Sequence, residues 1–113
     1  MKRDDRRDLF PGALEMMILH TLRGTPLHGY ALAQHLKHAS DDLLRIEEGS
    51  LYPALQRLLK EGWVEAEWTV SDRNRRIRKY KVTPAGRRQL AREVSRFERM
   101  LEGIARVMRP AQS

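Results

Sequence analysis

The sequence predicts a mostly α-helical chain that carries a two-stranded β hairpin and ends in a long helix. Three observations lead there. Residues 51–59 repeat apolar side chains at i, i+3, i+4, i+7 and i+8. Residues 63–70 and 76–82 are rich in β-branched and aromatic residues on either side of a polar "SDRNR" turn. From Leu90 to Met108, apolar residues recur at alternating spacings of four and three. At 113 residues the chain suits one domain with a modest core.

Pro11 opens the first helix after a charged start, "MKRDDRRD", and Leu14, Met17, Ile18 and Leu22 form its main stripe. Ala13, Met16 and Leu19 occupy its other sides, so this helix is expected to be buried on most sides. "TPLHG" breaks the pattern, and "YALAQHLKHA" resumes it with Leu32, Ala33 and Leu36 facing inward. Residues 40–49 connect to a third helix, for which Ser50 suits the N-cap. Pro53 would then lie in the first turn, where no intrahelical acceptor is lost. Gly62 supplies the stop. After the hairpin, Thr83 and Pro84 give an N-cap and a first-position proline for the last helix, expected to run to about Met108.

Three short helices, a basic hairpin and a long terminal helix make the order of a winged helix-turn-helix with an added dimerisation helix. Residues 1–83 would form the N-terminal arm and winged unit, and residues 84–113 the dimerisation helix and tail of the same structural unit. Because the leucines of the third helix must pack inward, Tyr52, Pro53, Gln56, Arg57 and Lys60 point outward, with Ser50 at the helix start. Gln can pair with the major-groove edge of adenine, and Arg and Lys with guanine or phosphate. A surface helix must be polar somewhere, so this stripe alone decides little. The hairpin adds weight: "RNRRIRKYK", residues 73–81, holds six cations and no acid. Arg73, Asn74, Arg75, Arg76, Arg78 and Lys79 are therefore expected to lie along phosphates, against the plainer reading of a solvated charge run.

In the last helix Leu90, Val94, Phe97, Leu101, Ile104 and Met108 form a coiled-coil-like seam that needs a partner. The expected partner is a second copy, with Met17 of the first helix contributing; the alternative is that the helix folds back on its own domain. A two-fold dimer would place its reading helices about 34 Å apart, on a pseudo-palindromic site.

Composition agrees. Lys and Arg outnumber Asp and Glu by 22 to 15, for a net charge of +7 and a pI near 10.4, which favours a polyanionic partner, here double-stranded DNA. With no cysteine, there is no disulfide framework, thiolate zinc site or cysteine nucleophile. The longest apolar run, "MMIL", is far short of the ~18 residues of a membrane span, so a cytoplasmic, nucleoid-associated chain with no membrane partner is expected. His35 and His38 could pair with Asp41 or Asp42, but ordinary surface histidines are commoner and no metal is expected. No glycine spacing matches a phosphate loop and no Ser, His and acid set is evident, so neither a cofactor nor an enzyme activity is expected.

The strings "PGALEMMILHTL", "LHGYALAQHL", "EEGSLYPALQRLLKEGWVEAEW" and "RRIRKYKVTPAGRRQL" resemble the PadR family of bacterial transcription regulators over almost the whole chain. The resemblance implies a winged-helix homodimer, usually a repressor, that reads an operator through the helix near Ser50 and through the wing. Its start looks most like a short branch often found beside genes for efflux-type permeases. Some short relatives stack flat ligands on a tryptophan of the last helix, whereas Trp63 and Trp68 here lie at the wing. A small-molecule effector of unknown identity is thus one expected partner, with Met16, Met17, Phe97 and Met100 as a candidate lining, although methionine more often fills cores. Two other functions fit the same features: a protein-interaction module using the last helix, and a sequence-blind DNA-coating protein.

Overall fold

The structure, a computed structural model, describes residues 12–110. The charged start and the proposed helix opening at Pro11 lie outside the described residues. The element order is α1 (Ala13–Leu22), β1 (Leu27–His28), α2 (Gly29–Ala39), α3 (Glu48–Lys60), β2 (Val64–Val70), β3 (Arg76–Val82) and α4 (Pro84–Met108).

The first helix is central, as its apolar girth requires. Ala13, Leu14, Ile18, Leu19 and Leu22 are buried, and α1 packs against α2, α3, β3 and α4. Leu32 and Leu36 of α2 and Leu51, Ala54, Leu55 and Leu58 of α3 complete the helical core, with Val64 and Tyr80 closing it from the sheet.

The sheet has three strands, not two, in the order β1-β3-β2. Leu27 and His28 pair antiparallel with Tyr80 and Lys79, inside the segment expected only to break helix periodicity. Two residues are too few for an alternation pattern, so β1 is defined by its partner strand. The His28 side chain then caps α2, its Nδ1 accepting the Ala31 N–H at 3.3 Å.

The start of α3 also differs from expectation. Glu47, in extended conformation, is the N-cap; its carbonyl accepts the N–H groups of Ser50 and Leu51 at 2.9 and 3.0 Å. Ser50 is therefore inside the first turn, with its hydroxyl oxygen buried. Pro53 falls one turn later than expected, within the helix, where it has no N–H to offer the Gly49 carbonyl. Cap preference favoured Ser50, but the connection from α2 delivers the chain in helical conformation three residues earlier.

The far end of α3 behaves as expected. Gly62 adopts φ 77°, and the Gly62 and Trp63 N–H groups reach back to the Leu59 and Leu58 carbonyls, each at 3.0 Å, closing the helix with a Schellman-type cap. Thr83 then links three elements. Its hydroxyl donates to the Gly62 carbonyl at 2.7 Å and accepts the Gly86 N–H at 3.0 Å, capping α4 as predicted. At Gly86 a Cβ would collide with the Trp63 carbonyl oxygen, so glycine lets α4 approach the root of the wing closely.

The apolar seam of α4 is divided between two environments. Leu90 is 6% exposed and belongs to this chain's own core, with Val94 packed against it. This corrects the expectation that the whole seam awaits a second copy: a heptad pattern marks which face is buried, not against what. Met17 likewise packs on its own core. Farther along, Leu101, Ile104, Val107 and Met108 are exposed. Among the described residues no helix is long and apolar enough to cross a membrane.

Candidate nucleic-acid interface

Burial of the α3 leucines turns Tyr52, Pro53, Gln56, Arg57 and Lys60 outward, and all five are exposed. They are not equally available. A methyl group at Gly29 would lie 2.6 Å from the Tyr52 hydroxyl oxygen, so the tyrosine, 39% exposed, lies across the start of α2. The hydroxyl end of its ring thus packs on Gly29 and braces the two helices against each other. Arg57 is held by α1: its Nε and one terminal nitrogen both meet the Glu15 carboxylate, at 2.7 Å and 2.6 Å. Arg57, expected to meet DNA, also ties α3 to α1 through this pair while its side chain stays 59% exposed. Gln56 and Lys60 are the members of the stripe that project from the middle and end of the helix.

The wing is closed by a five-residue turn. Ser71 and Arg75 share a backbone bond of 2.8 Å, and the Asn74 N–H reaches the Ser71 carbonyl at 2.9 Å. The Ser71 hydroxyl accepts the Arg73 and Arg75 N–H groups at 3.3 Å and 3.2 Å. Asn74 sits at φ 59°, a left-handed conformation that asparagine tolerates better than most residues. Its part in the turn thus comes from its backbone, whereas Arg73, Arg75 and Arg76 stand exposed around the tip.

The run 73–81 contains no acid of its own, but β2 brings acids across from it. In the hairpin register Glu67 is opposite Lys79 and Glu65 is opposite Lys81, and the Lys81 ammonium lies 3.6 Å from the Glu65 carboxylate. Arg76 and Arg78 instead pack on Trp68, their guanidinium carbons 4.7 Å and 5.9 Å from the ring centre. Trp68 was assigned no role from sequence. The usable signal was the turn: once "SDRNR" is centred, simple pairing puts Trp68 across from Arg78.

Of the expected effector lining, Met16, Phe97 and Met100 do meet, around a cleft between the start of α1 and α4 that also includes Gly12, Glu93 and Arg96. Met17 is not part of it. Glu93 is bonded to Arg96 at 3.0 Å at the rim.

Three packed helices with a sheet-borne wing, a polar outward face on the third helix and arginines at the wing tip define a winged-helix protein. Comparison with known proteins gives the family. A profile described as the transcriptional regulator PadR-like family matches residues 18–92, and the chain belongs to that family of transcriptional regulators. A Mycobacterium tuberculosis protein named a transcriptional regulator is 36% identical over 108 residues, spanning 95% of this chain and 92% of that protein. A transcriptional regulator from Clostridium thermocellum superposes with TM-score 0.83 at 24% identity, over 90% of this chain and 99% of that one. Bacillus subtilis PadR, solved in complex with operator DNA, superposes with TM-score 0.66 at 24% identity, over 73% of this chain and 46% of its own. At that identity the two superpositions establish the fold.

Proposed function

We propose that this chain is a sequence-specific DNA-binding repressor that acts as a homodimer. The observation that carries the reading is the pairing of an exposed polar stripe on α3 with an arginine-bearing wing that follows it after a single tight cap. Gln56 and Lys60 would meet base edges in the major groove, Tyr52 would contact phosphate from the α2–α3 corner, and Arg73 and Arg75 would meet the backbone beside it. The net charge of +7 supplies long-range attraction to the duplex. A relative of the same fold was solved in complex with operator DNA, which supports duplex DNA as the partner.

The homodimer part of the reading rests on α4. Its outer turns expose Leu101, Ile104, Val107 and Met108, a contiguous apolar face of the kind that marks a protein interface. A second α4 is the natural cover, because a two-fold pairing buries the same stripe on both copies. Repression then requires only that the dimer occupy promoter DNA.

Footprinting of the DNA upstream of the chain's own gene tests the reading. The expected result is protection of two half-sites about one helical turn, ~34 Å, apart. A monomer that binds this DNA no better than random duplex would favour the protein-interaction module. Equal protection of all sequences at fixed salt would favour the coating protein.

A further inference from the structure

We infer that the wing meets the duplex through one face only, and that Trp68 is the positioning residue that sets that face's guanidinium groups; this rests on the DNA-binding reading above. Successive side chains of a strand point to opposite faces, so the register of β2 and β3 sorts the wing's residues unambiguously. One face carries Trp68 and Val70 with Arg78 and Arg76. It continues outward from Val64 and Tyr80, which are buried in the core. The other carries Glu65 and Glu67 opposite Lys81 and Lys79.

The two faces differ in kind. On the second, two lysines stand against two glutamates, so the face is neutral to a phosphate. On the first, two arginines have no acid across from them, and their partner is an indole. Trp68 is 58% exposed, with Val70 beside it also exposed, so burial in the core does not account for it.

Stacking does account for it. A carboxylate that orders an arginine neutralises it and occupies its N–H donors. An indole orders the guanidinium through its flat face and leaves the charge and the in-plane donors available. Arg78 is held twice, 5.9 Å from the Trp68 ring and 5.8 Å from the Tyr80 ring, and Arg76 lies closest to Trp68, at 4.7 Å. Both side chains are thus ordered before any phosphate arrives, which lowers the entropic cost of binding.

The test measures affinity of the full-length protein for a mixed-sequence DNA duplex over a range of salt concentrations. Replacing Arg76 and Arg78 together by Ala should flatten the slope of log affinity against log salt by about 1.8 per wing. Replacing Glu65, Glu67, Lys79 and Lys81 together by Gln, which removes equal positive and negative charge, should leave the slope unchanged. Trp68→Ala should lower affinity between about twofold and tenfold per wing at an unaltered slope, because the charges remain. It should cost nothing further when Arg76 and Arg78 are already Ala, and Trp68→Phe should retain most of the binding. A slope that falls with the Gln variant would overturn the one-faced wing. A Trp68→Ala loss that persists without the two arginines would overturn the positioning role and leave DNA binding intact. Failure of the unaltered protein to bind any duplex would instead sink the proposed function and this inference with it.

Discussion

Helices α3 and α4 carry the same kind of apolar stripe, and the chain spends them differently. In α3 the stripe is consumed at home: Leu51 and Leu55 are 0% exposed and Leu58 1%. In α4 exposure climbs along the stripe, from 6% at Leu90 to 43% at Leu101 and 75% at Met108. Core space in a chain of 113 residues runs out after the first turns of α4, and the remainder is left facing outward. Full burial of one stripe frees the opposite side of α3 to be largely polar and so to face a ligand. Incomplete burial of the other makes α4 itself the surface that asks for a partner.

Substitutions that act on only one of the two helices sharpen this contrast. The largest effect is expected at Leu55→Ala, which deletes a fully buried side chain and should destabilise the fold by about 2–5 kcal/mol in urea denaturation. Next is Ile104→Asp, on the exposed part of α4. It should shift sedimentation from dimer to monomer, losing on the order of 1.5–3 kcal/mol of burial per copy, while the far-ultraviolet dichroism of the fold persists. If both proteins instead melted alike at every concentration, the distinction between an inward and an outward stripe would be wrong.

Thr83→Ala comes third. It removes a hydroxyl that caps α4 and bonds the end of α3, and should cost about 0.5–2 kcal/mol of stability. Thr83→Ser should recover most of it. The smallest effect belongs to Arg57→Ala. The Arg57–Glu15 pair is short, but the Arg57 side chain is largely exposed, so water screens it and the loss should be at most about 1 kcal/mol. Unchanged DNA affinity for this variant would assign Arg57 to the scaffold; a reduced salt slope would return it to the interface.

Much of the architecture was legible because it depends on local periodicity and on caps whose chemistry is contained in a few neighbouring residues. The α3 leucines, the Gly62 stop and the Thr83–Pro84 start are of this kind. Where expectation failed, a competing partner lay far away in sequence. Ser50 offers a good cap by its own chemistry, yet Glu47 takes the position because the connection after α2 orients the backbone. Arg57 is the outward cation expected, but its pairing with Glu15 of α1 was not legible in the sequence.

The wing shows the same division. Its run of cations is plain in the primary chain, but Glu65 and Glu67 come opposite Lys81 and Lys79 only through pairing of the two strands. The pairing that sets glutamates opposite the lysines also brings Trp68 beneath Arg76 and Arg78.

By itself, then, the order of residues determined the helices, the hairpin, the outward polar face of α3 and the excess of positive charge, since each follows from spacing of 3.6 or 2 or from simple composition. Only the folded chain decided which cations remain unpaired, that Tyr52 braces α2, that Leu27 and His28 form a strand, and where along α4 the home core ends. Those outcomes depend on distances between segments remote in sequence, and contacts of that kind are set by packing rather than by any local pattern.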